Sequence, residues 1–329
     1  MAVKKYKKVK ENILAGEEKR KSKNKSINDS GTAELLKVKP SPDISTRIEQ
    51  EVNIATSHRL IIGNCMNMEE IPDESVHLMV TSPPYFNAPF DYKGLFKNYG
   101  QYLGVLRRVS KEIFRVLKKG RIAVLNIDDM LVNGEKFPIV ADAIKIFIEA
   151  GFRYRDRIIW KKPDGYLRIS RRSGVMLQNP YPMYFYPDNL LESIIIFQKG
   201  KFDYRSIPEN IRESSKIDTR EFSDKKWYMT LWEMNNVMPG SPLEKDIAAF
   251  PEELPYRVIK LFSYKGETVL DPFVGSGTTM KVARDLRRNS IGIEIKKALI
   301  PIIKKKLGFD EQGRLFDNKD TFEIIIRKR

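Results

Sequence analysis

From Arg59 onward the chain alternates short apolar runs with stretches in which apolar residues recur every three or four positions, the pattern of buried strands interleaved with amphipathic helices. "RLIIGNC" and "SVHLMVTS" predict strands. "YGQYLGVLRRVSKEIFRVLKKG" predicts a helix from Tyr99 that closes on Gly120 as its C-cap. "RIAVLNID" follows as a strand, "FPIVADAIKIFIEAG" as a helix closed by Gly151, and "RYRDRIIWKK" and "LESIIIFQKG" as two more strands. In the last third, "FPEELPYRVIKLFSYKG" predicts a helix, "ETVLDPF" a strand, "TTMKVARDLRRN" a helix, "SIGIEI" a strand, "KKALIPIIKKKLG" a helix and "DTFEIIIRKR" a final strand. Strands alternating with helices predict an α/β fold around a mostly parallel sheet.

Three stretches break the alternation. Residues 1–57 are lysine-rich and poor in large apolar side chains, and read as a basic, partly flexible arm, with "DISTRIEQEVNIAT" as a short helix leading into the fold. Residues 163–190 read as a long loop dense in Pro, Tyr and Arg, and 201–245 as a polar, irregular insert. The chain therefore divides at 1–57, 58–200, 201–245 and 246–329.

Composition narrows the partners. The 329 residues carry a net charge of +16, which favours a polyanion over an apolar or acidic surface as partner, because Lys and Arg gain affinity by releasing counterions from phosphates. One cysteine, Cys65, and two histidines, His58 and His77, exclude a disulfide framework and leave no metal-ligand spacing, so no metal is expected. No run of about 18 apolar residues and no signal-like segment occurs, so the expectation is a soluble, cytoplasmic protein without a membrane partner.

The stretch "ETVLDPFVGSGTTMKVARDLRRNSIGIEI" carries the first chemistry. A buried strand runs into Asp271, a glycine-rich turn (Gly275, Ser276, Gly277) and a helix, and Glu294 ends the next strand 19 residues beyond Gly275. That spacing predicts a nucleoside-cofactor site, with backbone approach at the glycines and a carboxylate for ribose hydroxyls. Met280 stands where a nicotinamide fingerprint has its third glycine, and Thr278 where a phosphate-binding loop has its lysine. An acid at Asp271 suits a cationic ligand better than a pyrophosphate. S-adenosylmethionine, with its sulfonium and ammonium groups, fits these features better than a dinucleotide.

"VTSPPYFNAPFDY" carries the second. An apolar strand is stopped by two prolines that fix two φ angles, with a hydroxyl before them and an aromatic ring after. Together, "TSPPY" and "DPFVGSGTT" resemble the amino-methylating DNA methyltransferases of the β group, in which the catalytic tetrapeptide precedes the cofactor motif, over roughly residues 59–300. The resemblance implies a Rossmann-like methyltransferase fold with a mostly parallel seven-stranded sheet, a catalytic half at 58–200, a target-recognition insert at 201–245 and a cofactor half at 246–329. It implies cofactor contacts from Asp271, Pro272, Phe273, Gly275, Ser276, Gly277, Thr278, Thr279 and Glu294, and from Phe250, Asn64 and Cys65. Two positions depart from the family pattern. Asn64 stands where Asp is common, and "DIAAFPEEL" where His-Pro is common.

An exocyclic amino nitrogen is a poor nucleophile, because its lone pair is delocalised into the ring. Hydrogen-bond acceptors against its N–H groups draw it toward tetrahedral geometry, and the Ser82 side chain and the Pro83 carbonyl are the candidates, with Pro83 and Pro84 holding the loop. The base must leave the duplex, and Tyr85 is the candidate to stack on it. C5-cytosine chemistry needs a Pro-Cys nucleophile, and Cys65 follows Asn64 instead. Ser at the first tetrapeptide position resembles the N4-cytosine enzymes, whereas Asp is usual for N6-adenine; N4-cytosine is the expectation and N6-adenine the alternative.

Double-stranded DNA is the expected partner, read by Arg168, Arg171 and Arg172 in "GYLRISRRSG" with Lys161 and Lys162 beside them, or by the 201–245 insert. A cognate restriction endonuclease is a possible further partner, and the chain a monomer or homodimer. Methylation of RNA or of protein glutamine, and a non-catalytic nucleic-acid-binding module, are the competing readings.

Overall fold

The computed structural model describes residues 54–87, 95–163, 173–185, 187, 189–235, 250–309 and 319–327. The basic arm to residue 53, and with it most of the short helix expected there, lies outside the described residues.

In chain order the elements are β1 (Ser57–Ile62), β2 (Val76–Thr81), α1 (Tyr99–Val116), β3 (Leu117–Ile127), a small hairpin of β4 (Met130–Val132) and β5 (Glu135–Phe137), α2 (Ile139–Glu149), β6 (Arg153–Lys161), α3 (Ser173–Gln178) and β7 (Leu191–Gln198). Then follow α4 (Glu209–Ser214), α5 (Thr219–Asp224), β8 (Leu231–Glu233), α6 (Glu253–Phe262), β9 (Thr268–Asp271), α7 (Thr278–Asp285), β10 (Asn289–Glu294), α8 (Ile300–Lys306) and β11 (Thr321–Ile326). The main sheet runs β11-β1-β10-β9-β2-β3-β7-β6-β8, parallel except for β7, which is antiparallel to both neighbours. Among the described residues it has nine strands rather than the expected seven. The extra two are its edges: β11 pairs with β1 from Ser57↔Thr321 onward, and β8 adds three residues beside β6.

Both faces of the sheet are covered, which is why its inner strands read as continuous apolar runs. Alternate residues of β3 divide between two cores. Ala123 and Leu125 pack toward α1 and α2, with Leu106, Val109 and Ile113 of α1. Ile122 and Val124 pack toward α6 and α7, with Leu254, Val258 and Val282.

Two expectations change. Gly120 does not cap α1. The helix ends at Val116, Leu117 turns extended, and Gly120 lies inside β3 with φ +86, where a Cβ would meet the Lys201 carbonyl at 2.7 Å. The end of α1 is held instead by Lys199, whose ammonium donates to the Phe114 and Leu117 carbonyls at 2.7 Å each. Nor is 201–235 irregular. It forms α4, α5 and β8, and Trp232, 1% exposed, packs into the second core beneath the Arg257 guanidinium.

Candidate active site

At the carboxyl ends of β1, β2, β9 and β10 lies a cavity of about 270 Å³. Its cofactor-side wall is built locally. β9 ends on Asp271, the chain turns through Gly275 with φ +53 and Gly277 with φ +87, and Gly277 starts α7. The Gly275 amide donates to Glu294 Oε2 at 3.0 Å and the Lys296 amide to Oε1 at 2.8 Å, so the carboxylate at the end of β10 is clamped at the lip of the loop. Among the described residues, Glu294 is the one carboxylate lining the cavity; Phe250, Phe273 and Ile295 give it apolar walls.

Met280, which replaces the third glycine of a dinucleotide fingerprint, is wholly buried. A Cβ on Gly292 would lie 2.5 Å from its sulfur. The small residue that lets helix approach strand has moved from the helix to β10.

The opposite wall comes from a different part of the chain. β2 ends on Thr81, and just beyond it Ser82 and Pro84 line the same cavity as Phe273 and Ser276. A buried hydrogen bond joins the two walls: the Thr81 hydroxyl donates to Asp271 Oδ1 at 2.6 Å. Asp271 also accepts from the Thr279 hydroxyl at 2.6 Å and the Phe273 amide at 3.1 Å. Burial raises its carboxyl to about 6. Cys65 lines the cavity as a thiol that burial pushes up to about 12, so it stays protonated and is no thiolate nucleophile.

Tyr85 turns away from the cavity. Its ring is 7% exposed and its hydroxyl donates to Glu192 Oε2 at 3.0 Å. Glu192, near the start of β7, also accepts from the Asn126 amide of β3 at 2.6 Å and pairs with Lys162 after β6 at 2.5 Å. Glu192 and Lys162 side chains are 11% and 17% exposed.

A family model described as DNA methylase matches residues 76–305, a span that takes in both walls. The chain belongs to the DNA methylase family. Among its relatives, the Type II methyltransferase M.MjaI of Methanocaldococcus jannaschii is 37% identical over 79% of this methylase and 94% of the relative. M.MthZI of Methanothermobacter thermautotrophicus is 29% identical over 83% and 81%. A Thermus thermophilus protein described as a DNA modification methylase, solved with S-adenosyl-L-methionine, superposes with a TM-score of 0.64 at 28% identity, covering 83% of this chain and 99% of the other. The PvuII DNA methyltransferase, described as cytosine-N4-specific, shares the fold at a TM-score of 0.54 and 18% identity, over 82% and 96%.

The methylase brings most of the expected cofactor residues to one cavity. Pro272, Phe273, Gly275, Ser276, Thr278 and Glu294 line it, as do Phe250, Asn64 and Cys65. Asp271, Gly277 and Thr279 stand behind that lining. The Asp271 carboxylate, to which the sequence assigned the cationic preference, is engaged by three protein donors. Of the catalytic tetrapeptide, Ser82 and Pro84 reach the cavity, while Pro83 and Tyr85 are buried beside it. The structure thus gives Tyr85 a hydroxyl partner in Glu192.

The DNA-facing residues divide. Arg168, Arg171 and Arg172 lie outside the described residues. Lys162 is held in its ion pair with Glu192, and Lys161 lies 3.5 Å from Glu233 on β8. Sequence reasoning missed Glu192, Asn126 and Thr81. It also missed Lys306, which donates to the Ser276 hydroxyl at 2.7 Å. No motif marks Glu192, Asn126 or Lys306, and although Thr81 opens "TSPPY", only the pairing of β2 with β9 brings it to Asp271.

Proposed function

We propose that this DNA methylase moves a methyl group from S-adenosylmethionine to the exocyclic N4 amino group of a cytosine turned out of the duplex. The observation that carries this reading is a single cavity with Glu294 and the glycine loop on one wall and the hydroxyl of Ser82 on the other, residues some two hundred positions apart in the chain. The cavity suits the methyl donor. Glu294 is placed for ribose hydroxyls, the apolar walls for an adenine ring, and a carboxylate with no Lys or Arg among the described lining residues favours a cation over a pyrophosphate. When bound, the donor supplies an electrophilic methyl group on a sulfonium.

The chain's own residues do the rest. Ser82 offers a hydroxyl oxygen as acceptor to an amino N–H, and the Pro83 carbonyl a second, both fixed before the base arrives. Thr81, bonded to Asp271, ties that loop to the cofactor wall and so sets the distance between the two reacting partners. A neutral hydroxyl at the first position of the tetrapeptide supports cytosine; adenine N6 is the second reading. The loop around Arg168, Arg171 and Arg172 and the 201–245 stretch are the proposed DNA-reading segments. Because its relatives are Type II methyltransferases, a cognate restriction endonuclease is proposed as the cellular counterpart.

The test is mass spectrometry of nucleosides from genomic DNA incubated with the protein and methyl-deuterated S-adenosylmethionine. The expected product is labelled N4-methylcytosine. Labelled N6-methyladenine would replace the base assignment, and absence of label from any DNA would overturn the reading.

A further inference from the structure

A second concavity lies at the opposite end of the sheet. It is a groove of about 960 Å³ lined by Arg121 near the start of β3, Arg153 and Arg155 at the start of β6, Lys201 and Tyr204 after β7, and Arg212 in α4. Arg121 stands six residues before Ile127, where β3 ends, so about 20 Å of strand separates the groove from the end of the sheet that carries Ser82.

Seven cations and two carboxylates line this groove. Three of the cations are neutralised: Arg121 by Glu267, Lys216 by Glu213, and Lys260 by Glu221 at 2.8 Å. The other four are not. Among the described residues, Arg155, Lys201 and Arg212 have no carboxylate partner, and Arg153 donates to the neutral Gln198 side chain at 2.6 Å. Glu209, in the first turn of α4, is the one lining carboxylate without a cation, again among the described residues. Four uncompensated cations against one carboxylate leave an excess of three positive charges. Cations gathered in this way repel one another, and a row of phosphates relieves that repulsion while releasing its own counterions. The Arg155 guanidinium lies 5.5 Å from the Phe262 ring, and Tyr204 is 68% exposed, with its phenol available as a further phosphate donor. The catalytic cavity is the opposite case, with one carboxylate and no Lys or Arg among its described lining residues.

We propose that this groove holds the phosphate backbone of a second segment of double-stranded DNA, so that one molecule carries the target duplex at its cavity and another duplex at the far end of its sheet. Duplex DNA is stiff over about 150 base pairs, so the target segment does not bend round the sheet to reach the groove. The second segment comes from elsewhere along the DNA or from another molecule. Charges and a phenol hold phosphates and carry no sequence information. The first part of the 201–245 stretch, with Lys201, Tyr204 and Arg212, therefore holds DNA without reading it. Reading falls to its later part, where β8 sets Glu233 opposite Lys161 at the carboxyl end of β6. A methylase that keeps a second segment in hand passes to a new site without leaving the DNA, because the held segment stays at high local concentration. The inference depends on DNA as the family's substrate and not on which base is methylated.

The test compares wild type with a variant carrying Arg155→Gln, Lys201→Gln and Arg212→Gln, three exposed side chains outside both walls of the cavity. A target duplex fixed to beads is saturated with protein and then offered a fluorescent duplex of unrelated sequence, each about 15 base pairs long and too stiff to bend round the sheet. Wild type should capture the second duplex, and the variant should capture at least tenfold less. On long DNA the slope of log affinity against log salt should be shallower in the variant by about three. Methylation of the short target duplex should keep kcat and KM within about twofold of wild type, which also shows that the variant is folded. No capture by wild type would overturn the proposal. Equal capture by the variant would too, since two cavities of a dimer would then be doing the bridging. A KM for the short duplex that rises as capture is lost would place the groove on the path of the target duplex and overturn it as well. Capture that the variant loses, with no methyl transfer to any DNA, would uphold the groove and strike only the reading of the cavity.

Discussion

The cofactor wall is made from one stretch of chain, and its hydrogen bonds span 8 residues from Thr279 to Asp271 and 19 from Gly275 to Glu294. The catalytic wall is made from strands β2, β3, β6 and β7, and its bonds span 66 residues from Asn126 to Glu192 and 107 from Tyr85 to Glu192. The first is a strand–turn–helix unit whose geometry comes with its own backbone. The second exists only where the antiparallel β7 sits between β3 and β6, because that register places Glu192 opposite Trp160 and next to Ser193, which faces Ile127. A local wall can hold a ligand before the sheet is perfect. A distributed wall reports on the whole sheet, and the proposed acceptors for the amino group lie there.

If the division is real, the two walls fail differently. Ser82→Ala should cut kcat by a hundredfold or more while leaving cofactor affinity within about twofold, because the lost acceptor acts as charge develops. Glu294→Gln should do the reverse. It replaces one acceptor oxygen by an amide donor aimed at the Gly275 or Lys296 amide, so cofactor dissociation should rise about tenfold or more, with kcat at saturation near wild type. Isothermal titration with the cofactor and steady-state kinetics separate these outcomes. Equal losses of affinity and turnover in both variants would break the comparison.

The seam between the walls should show a smaller and mixed effect. Thr81→Val keeps the shape of the side chain but removes the donor to Asp271 Oδ1, leaving that buried carboxylate with Thr279 and the Phe273 amide. A lost hydrogen bond to a buried charged group costs about 1.5–3 kcal/mol. Denaturant unfolding should show that loss, and both cofactor affinity and kcat should fall a few-fold together. A variant with wild-type stability would mean that Asp271 is held by its own wall alone.

This contrast also explains what could be read from the chain. The Gly275–Gly277 turn, Glu294 and the Ser82–Tyr85 tetrapeptide were legible because spacing along the backbone is what positions them. The α/β alternation was legible because strands covered on both faces are apolar throughout. Gly120 misled because a glycine after a helical pattern is the usual C-cap, whereas here Lys199 arrives from β7 to bind the last carbonyls. Trp227 and Trp232 were hidden in a polar context, and only the short β8 turns Trp232 into the core. The Tyr85 partner Glu192 was not legible because it lies 107 residues away and carries no motif.

The smallest effect concerns a region that belongs to neither wall. His58 is fully buried in β1, bonded to Thr56 Oγ1 at 2.8 Å and Ser290 Oγ at 2.7 Å, and burial lowers it from 6.5 to about 4. Asp320 and Arg284 act on it with opposite signs, and burial outweighs both. The folded protein therefore binds this proton less readily than the unfolded chain. The neutral ring contributes stability above the unfolded pKa, and that contribution is lost as pH falls from 6.5 toward 4. Between about pH 7.5 and about pH 5, wild type should lose about 2 kcal/mol more stability than His58→Gln. Carboxyls raised by burial, such as Asp271, act with the opposite sign but are present in both proteins and cancel in the difference. Because β1 supports the cofactor wall through its pairing with β10, the acid loss should appear in cofactor affinity before it appears in kcat at saturating cofactor. Acid sensitivity that strikes kcat first would point instead to a group titrating in the distributed wall, such as Asp128, which burial raises to about 6 and whose protonation leaves the fold no weaker.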